Sequence, residues 1–326
     1  MPFSMGLLER YGAGKDVFRE ASKSPKMSLG RVLTQSKRMY RIVTDDGEFQ
    51  GEVSGRFRHE TSSTADFPVV GDYVLAMLSH SMGKAVIHRV LTRRNVFERT
   101  IAGKAPRSQV VASNIDVVFI CMSLNDNYNL NRLERYLSVT WKCGADPVVV
   151  LTKSDVAQGS LDECLKAVQD IARDARVLVT SSFDSTSIDE LRKFISVGVT
   201  AAFIGSSGVG KSTLINLLLG EERQATGEIR EADGKGRHTT SMREMILLPD
   251  GGVVIDTPGM RELGIESADI EATFEDIEEL ALHCRFSDCR HETEPGCAVK
   301  KAIEDGRLDA RRLENYLKLR YEVGAR

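Results

Sequence analysis

Three short runs of this chain have the residue types and spacing to bind a polyphosphate and a base. Gly205-Ser206-Ser207-Gly208-Val209-Gly210-Lys211-Ser212 matches G-x-x-x-x-G-K-[ST] at every fixed position. An apolar strand-like run, Val199 to Ile204, enters it, and a helix-like run, Ser212 to Leu219, leaves it, which is the setting a phosphate cradle needs. Gly205, Gly208 and Gly210 free the backbone to turn its N–H groups inward at the positive end of the following helix. Lys211 is spaced to reach the β and γ phosphates and the Ser212 hydroxyl to ligate Mg²⁺. Ser206, Ser207, Val209 and Thr213 complete the candidate contacts. A Gly-rich turn before a buried helix is the bland alternative, and the full match in this context argues against it.

The second run, Asp256-Thr257-Pro258-Gly259, follows the apolar strand Gly252 to Ile255. Asp256 could hold the metal's hydration shell, and Gly259 could offer its N–H to the γ-phosphate. Alone, D-x-x-G is weak, because strand-to-turn junctions are rich in Asp and Gly; about 45 residues after a phosphate loop it reads as a switch motif. The third run, Thr152-Lys153-Ser154-Asp155, ends the valine-rich strand Pro147 to Leu151, where a carboxyl end opens onto a crevice. Asp155 can accept from both N1–H and the exocyclic amine of guanine, a donor pair adenine lacks, and Lys153 would lie over the base. The tetrapeptide alone is equally a turn with an N-capping Asp. Val177 to Ser182, a further strand ending in Ser181 and Ser182, favours the guanine reading, since small residues let a backbone N–H meet O6.

Cys284, Cys289, His291 and Cys297 form C-x4-C-x-H-x5-C. Three thiolates and an imidazole make a closed tetrahedral set, suited to structural Zn²⁺ with no open position for catalysis. The alternative is three core cysteines and a surface His. Cys121, Cys143 and Cys164 stand alone in apolar or helical contexts and read as buried thiols.

Other elements must position these groups. Short β-branched segments broken by turns, at 30–33, 40–44, 49–53, 72–78 and 83–90, with Asp46-Gly47 as a hairpin signal, suggest a five-stranded OB-fold barrel. Residues 1–105 carry a net charge of +6 and the remainder −9, within a total of −3. That separation suggests that the barrel meets a polyanion, through Arg38, Arg41, Arg56, Arg58, Arg89, Arg93 and Arg94, with Tyr40, Phe49 and Phe57 as stacking residues. Solvated arginines and core aromatics are the alternative. Gly12-Ala13-Gly14-Lys15 lacks the strand and the Ser/Thr of a second nucleotide loop. At 326 residues and 41% hydrophobic, the chain can hold two compact domains and a small metal-tied one. No apolar run is long enough for a membrane span, and free cysteines beside a nucleotide site point to the cytoplasm. Residues 308–323 alternate Leu/Tyr with charges at helical spacing, as an amphipathic helix does.

The nucleotide runs resemble the five G motifs of GTPases in the order G4-G5-G1-G2-G3, a circular permutation that a sheet tolerates when its old termini are close. Thr152 departs from the commoner Asn of N-K-x-D, which bears on one loop-supporting hydrogen bond and leaves the role of Asp155 intact. With barrel, permuted motifs and C-x4-C-x-H-x5-C in that order, the chain resembles the RsgA (YjeQ/YloQ) family of ribosome small subunit-dependent GTPases, from about Gly30 to Tyr321. Residues 1–28 lie outside the resemblance and read as a mobile, basic-leaning arm; the resemblance implies a multidomain fold beyond it, with an OB-fold at 29–105, a permuted α/β P-loop GTPase domain at 106–267, and a mainly helical zinc module at 268–326. It further implies a monomer that hydrolyses GTP to GDP and phosphate, stimulated by the 30S subunit and its 16S rRNA, in late maturation of that subunit.

After D-x-x-G many GTPases place a water-orienting Gln, whereas Met260 stands here and cannot hydrogen-bond usefully. Gly234-Lys235-Gly236-Arg237-His238-Thr239-Thr240 occupies the switch I position and resembles the family's G-R-H-T-T stretch. Thr240, or Thr239 by a shift of one, is then the candidate ligand for Mg²⁺ and the γ-phosphate, and His238 the candidate to orient water. Two readings from other classes stay open. A P-loop ATPase or kinase would not need Asp155, and an RNA-binding module would hold GTP without turnover.

Overall fold

The structure, a computed structural model, describes residues 5–36, 39–61, 63–101, 107–125, 128–157, 160–206, 208–220, 243–256, 274–286 and 288–324. Strands β1 (Ser28–Ser36), β2 (Met39–Thr44), β3 (Gly47–Val53), β4 (Tyr73–Ser79) and β5 (Lys84–Val90) pair in the order β1-β2-β3-β5-β4, and β4 pairs back onto β1 to close a barrel. β3 runs parallel to β5 and the other pairs are antiparallel. Helix α3 (Gly55–Glu60) lies between β3 and β4, N-capped by the Ser54 side chain. The barrel interior is filled by alternate residues of these strands, among them Val32, Ile42, Val53, Val74 and Ile87.

Two expectations about this region are corrected. Tyr40 and Phe49 are 4% and 6% exposed and belong to the barrel core, and Phe57 packs against it edge-on to Phe67, so none is a free stacking surface. The arginines are largely engaged inside the chain. Arg41 pairs with Glu48 and Glu244, Arg56 with Glu60, Arg89 with Glu20, Arg93 with the fully buried Asp72, and Arg94 with Asp116. Arg58 is exposed, and Arg38 lies outside the described residues.

The segment expected to be an arm is folded from residue 5 onward. Helices α1 (Leu7–Arg10) and α2 (Lys15–Ala21) pack on the outside of the barrel, burying Leu8 and Tyr11 in a core shared with the next domain. Leu8 N–H donates to Asp45 at 2.9 Å. The fully buried Arg31 guanidinium joins three regions, donating to the carbonyls of Tyr11, Gly71 and Asn114 beneath the Tyr73 ring. The boundary expected at 105/106 separates two strands that pair with each other, β6 (Val96–Ile101) and β7 (Arg107–Ser113).

The central sheet has the order β10-β9-β8-β11-β13-β12, from β8 (Val117–Ser123), β9 (Asp146–Thr152), β10 (Arg176–Val179), β11 (Thr200–Ile204), β12 (Glu244–Leu247) and β13 (Val253–Asp256). All are parallel except β12, which also bridges to β1 and so joins sheet to barrel. Both faces are buried, so these strands are almost continuously apolar. Val118, Ile120, Val149 and Ile204 face α4 (Leu130–Cys143) and α5 (Leu161–Ala172). Phe119, Val148, Val150 and Phe203 face α6 (Ser185–Arg192) and α7 (Lys211–Leu219). Chain direction across the sheet reverses between β8 and β11, and ligands bind at such a switch point.

The C-terminal module contains the helices Glu275–Ala281, Ala298–Glu304 and Ala310–Gly324, the last being the expected amphipathic helix. Phe274, Ile277, Val299, Leu313 and Tyr316 form its core. Arg312 ties it to α4, with Nη1 2.8 Å from the Glu134 carboxylate, while Asp276 accepts from Arg312 and pairs with Arg173 at 2.9 Å. Asn315 donates to the other Glu134 oxygen at 3.1 Å.

Candidate nucleotide site and metal centre

β11 delivers the phosphate loop at its carboxyl end and α7 carries it away, starting from Gly210 as N-cap. Gly205 has φ +144°, and a Cβ there would sit 2.4 Å from the Cys121 carbonyl oxygen of β8, so only glycine fits between loop and sheet. Gly208 and Gly210 also have positive φ, at 74° and 100°. Lys211 Nζ folds back across the loop, donating to the carbonyls of Gly205 at 2.8 Å and Ser206 at 2.7 Å. Ser212 and Thr213 stand half-buried in the first turn of α7, Val209 is fully buried beneath the loop, and Arg132 of α4 donates to the Ser206 hydroxyl at 2.8 Å.

The base-reading candidates meet this loop directly. The Thr152 hydroxyl, at the end of β9, donates to the Val209 carbonyl at 2.5 Å, so the threonine supplies the loop-supporting bond on which its departure from Asn bore. Lys153 follows in the left-handed region (φ 58°), turning the chain into a short 3₁₀ segment that leaves Asp155 exposed at the crevice edge. One Asp155 oxygen accepts from the Ser181 hydroxyl at 2.7 Å, which fixes the carboxylate. Ser154 N–H donates to Thr180 C=O at 3.2 Å and Thr180 N–H to Leu151 C=O at 2.7 Å, lacing the end of β10 to that of β9. Ser182 is exposed beside them, and Asp256 ends β13, half-buried. The structure therefore gathers Thr152, Lys153, Asp155, Ser181, Gly205, Ser206, Val209, Gly210 and Lys211 at the carboxyl ends of three parallel strands. Ser207, His238, Thr239, Thr240, Gly259 and Met260 lie outside the described residues.

In the metal centre the candidate ligand atoms of Cys284, Cys289, His291 and Cys297 all lie within 4.8 Å of one another. Cys284 Sγ is 3.6 Å from His291 Nδ1 and 3.9 Å from Cys297 Sγ, and His291 Nδ1 is 3.4 Å from Cys297 Sγ. A tetrahedron with metal–sulfur bonds of about 2.3 Å and a metal–nitrogen bond of about 2.0 Å has S···S edges of roughly 3.8 Å and S···N edges of roughly 3.5 Å. The donor set thus fits a closed tetrahedral cation. Burial lowers the His291 pKa, favouring the neutral imidazole that a metal requires. His291 itself adopts φ 65°, and Cys297 also N-caps the helix Ala298–Glu304.

Arg132, Glu134 and Arg312 were not marked by sequence reasoning. Arg132 contacts a loop 74 residues away and Glu134 meets its partner 178 residues away, and no local spacing encodes such pairings. The one signal was Glu134, the single charged residue among the buried positions of α4.

The model of the family described as RsgA GTPase matches residues 90–266, more than half of the chain. A protein of Lactiplantibacillus plantarum named small ribosomal subunit biogenesis GTPase RsgA 2 is 44% identical over 316 residues, covering 97% of this chain and 89% of its own. One of Opitutus terrae named small ribosomal subunit biogenesis GTPase RsgA is 44% identical over 306 residues, covering 90% and 82%. Among solved structures, YjeQ from Thermotoga maritima superposes with a TM-score of 0.68 at 26% identity over 92% of this chain and 99% of that one. YloQ, described as a circularly permuted GTPase, gives 0.62 at 25% identity over 92% and 96%. With the closed barrel, the phosphate loop downstream of its Thr-Lys-x-Asp partner and these relatives in agreement, the chain belongs to the RsgA GTPase family.

Proposed function

We propose that this chain is a guanine-specific GTPase that works on the small ribosomal subunit, hydrolysing GTP to GDP and phosphate faster when the subunit is bound. The observation that carries the proposal is the meeting of Thr152 with Val209 and of Asp155 with Ser181. These contacts join the 152–155 segment to the 205–212 loop and to the end of β10, which supports reading them as one nucleotide crevice although their order along the chain is reversed. The names of the L. plantarum and O. terrae relatives support the small subunit as partner. A cytoplasmic monomer that contacts 16S rRNA is the form of the proposal we adopt, and no helix among the described residues is long and apolar enough to cross a membrane.

Asp155 would select guanine and Lys153 would cover the base. The N–H groups of the 205–210 loop and Lys211 would hold the phosphates, and Ser212 and Thr240 would ligate Mg²⁺, with Asp256 behind them. Mg²⁺, when bound, supplies charge neutralisation across the β and γ phosphates. His238 would orient the attacking water in place of the usual Gln, a group needed for turnover and not for binding. Cys284, Cys289, His291 and Cys297 would hold one Zn²⁺ as a structural cross-link.

Phosphate release from GTP and from ATP, with and without purified 30S subunits, tests the proposal. Stimulated release from GTP alone is expected. Equal use of ATP would favour a P-loop ATPase, and GTP binding without release even with subunits would favour a non-enzymatic RNA-binding module. His238→Ala should lose stimulated release with little change in GTP affinity; full retention would move the role to another group.

A further inference from the structure

Two cations converge on one residue of the phosphate loop. Lys211 Nζ donates to the Ser206 carbonyl at 2.7 Å, and Arg132 Nη1 donates to the Ser206 hydroxyl at 2.8 Å. Lys211 belongs to the loop motif, but Arg132 comes from a separate element. It lies in the first turn of α4, directly after β8, where the Asn129 side chain caps its backbone N–H at 2.9 Å. The Arg132 side chain is half-buried, so its charge is less screened than at an open surface.

The lysine of this motif serves the β and γ phosphates, and Arg132 holds the side chain of a residue in the same loop. Its planar fork suits phosphate oxygens better than an ammonium would. In GTPases an arginine supplied from the same chain can offset the charge that grows on the transferring phosphoryl group. With Met260 in place of the water-orienting Gln, the chain has particular use for such a charge.

We propose that Arg132 is a second phosphate-facing cation, built into α4. Its guanidinium, now on the Ser206 hydroxyl, engages the terminal phosphoryl group of GTP, distinguishes GTP from GDP and supports hydrolysis. Arg132 keeps its proton throughout. The bond from the bridging oxygen to the γ-phosphorus breaks, water oxygen bonds to that phosphorus, and the proton of water leaves with phosphate. The inference rests on the GTPase reading above.

The test compares wild type, Arg132→Gln and Arg132→Lys in equilibrium affinity for GDP, for a non-hydrolysable GTP analogue and for GDP with aluminium fluoride, with thermal melting as a check on folding. For Arg132→Gln, GDP affinity should stay within about twofold while affinity for the GTP analogue falls about tenfold or more, the loss of one charge-assisted phosphate contact. The aluminium fluoride complex should be lost, and Arg132→Lys should recover part of both. An equal fall for all three ligands would make Arg132 a mere clamp on the loop and overturn the inference, as would no change in any of them. A wild-type chain that bound none of the three would overturn the GTPase reading as well.

Discussion

The candidate nucleotide groups come from the ends of β9, β10 and β11, strands of an eleven-stranded sheet, and among them Gly205 leaves no room for a Cβ against β8. In the Cys3His centre the groups aimed inward are side chains within a fourteen-residue stretch, on a module with a small core of its own. The first is so closely packed at Gly205 that adding atoms breaks it. The second, with a metal bound as proposed, would draw much of its order from that bond and be broken by removing donor atoms.

The largest effect is expected where atoms are removed from the centre. Structural zinc is worth about 10–16 kcal/mol in comparable small sites. Cys289→Ser or chelation should therefore loosen residues 280–300, read as faster amide exchange there, with nucleotide affinity mostly intact. Elemental analysis of purified protein that finds no zinc would refute the site, and complete loss of GTP binding would erase the contrast between the two regions. Next comes an added atom. Gly205→Ala forces a methyl against the Cys121 carbonyl at a φ that L residues avoid, a cost of about 3 kcal/mol or more. It should abolish nucleotide binding in a titration while zinc content stays unchanged.

The link between the regions comes third. Glu134 is 2% exposed and Arg312 11%, and breaking such a pair by Arg312→Ala leaves a buried carboxylate, at about 3 kcal/mol. The module should then be cleaved from the GTPase domain by limited proteolysis at lower protease concentration than in wild type. Equal resistance would show that the module is held by other contacts. The smallest effect is Thr152→Val, which removes one hydrogen bond to Val209, about 1 kcal/mol. GTP affinity should fall severalfold with no change in melting of the metal module, and an unaltered affinity would remove this bond from the account.

The same contrast explains what could be read from the chain. The motifs were legible because phosphate binding and metal ligation demand particular residues at fixed short spacing, and the barrel strands were legible from β-branched runs. The aromatics Tyr40 and Phe49 were misread as surface groups although the signal was present. Each alternates with another inward residue, Ile42 and Val53 respectively, and so faces the barrel core. Helices α1 and α2 were missed because, at four and seven residues, they are too short to be stable alone. They exist because Leu8 and Tyr11, and the partly buried Val17 and Phe18, find a surface to pack against. The Arg132 and Arg312 contacts join positions distant in sequence, and only the fold brings them together.

The central claim is that the permuted segments rebuild a guanine site, and Asp155→Asn tests it most directly. The variant side chain donates where guanine also donates, whereas xanthine presents an acceptor at that position. Competition binding with GTP and xanthosine triphosphate should show weaker GTP binding and a preference shifted toward xanthosine triphosphate. An unchanged preference for GTP would contradict the account.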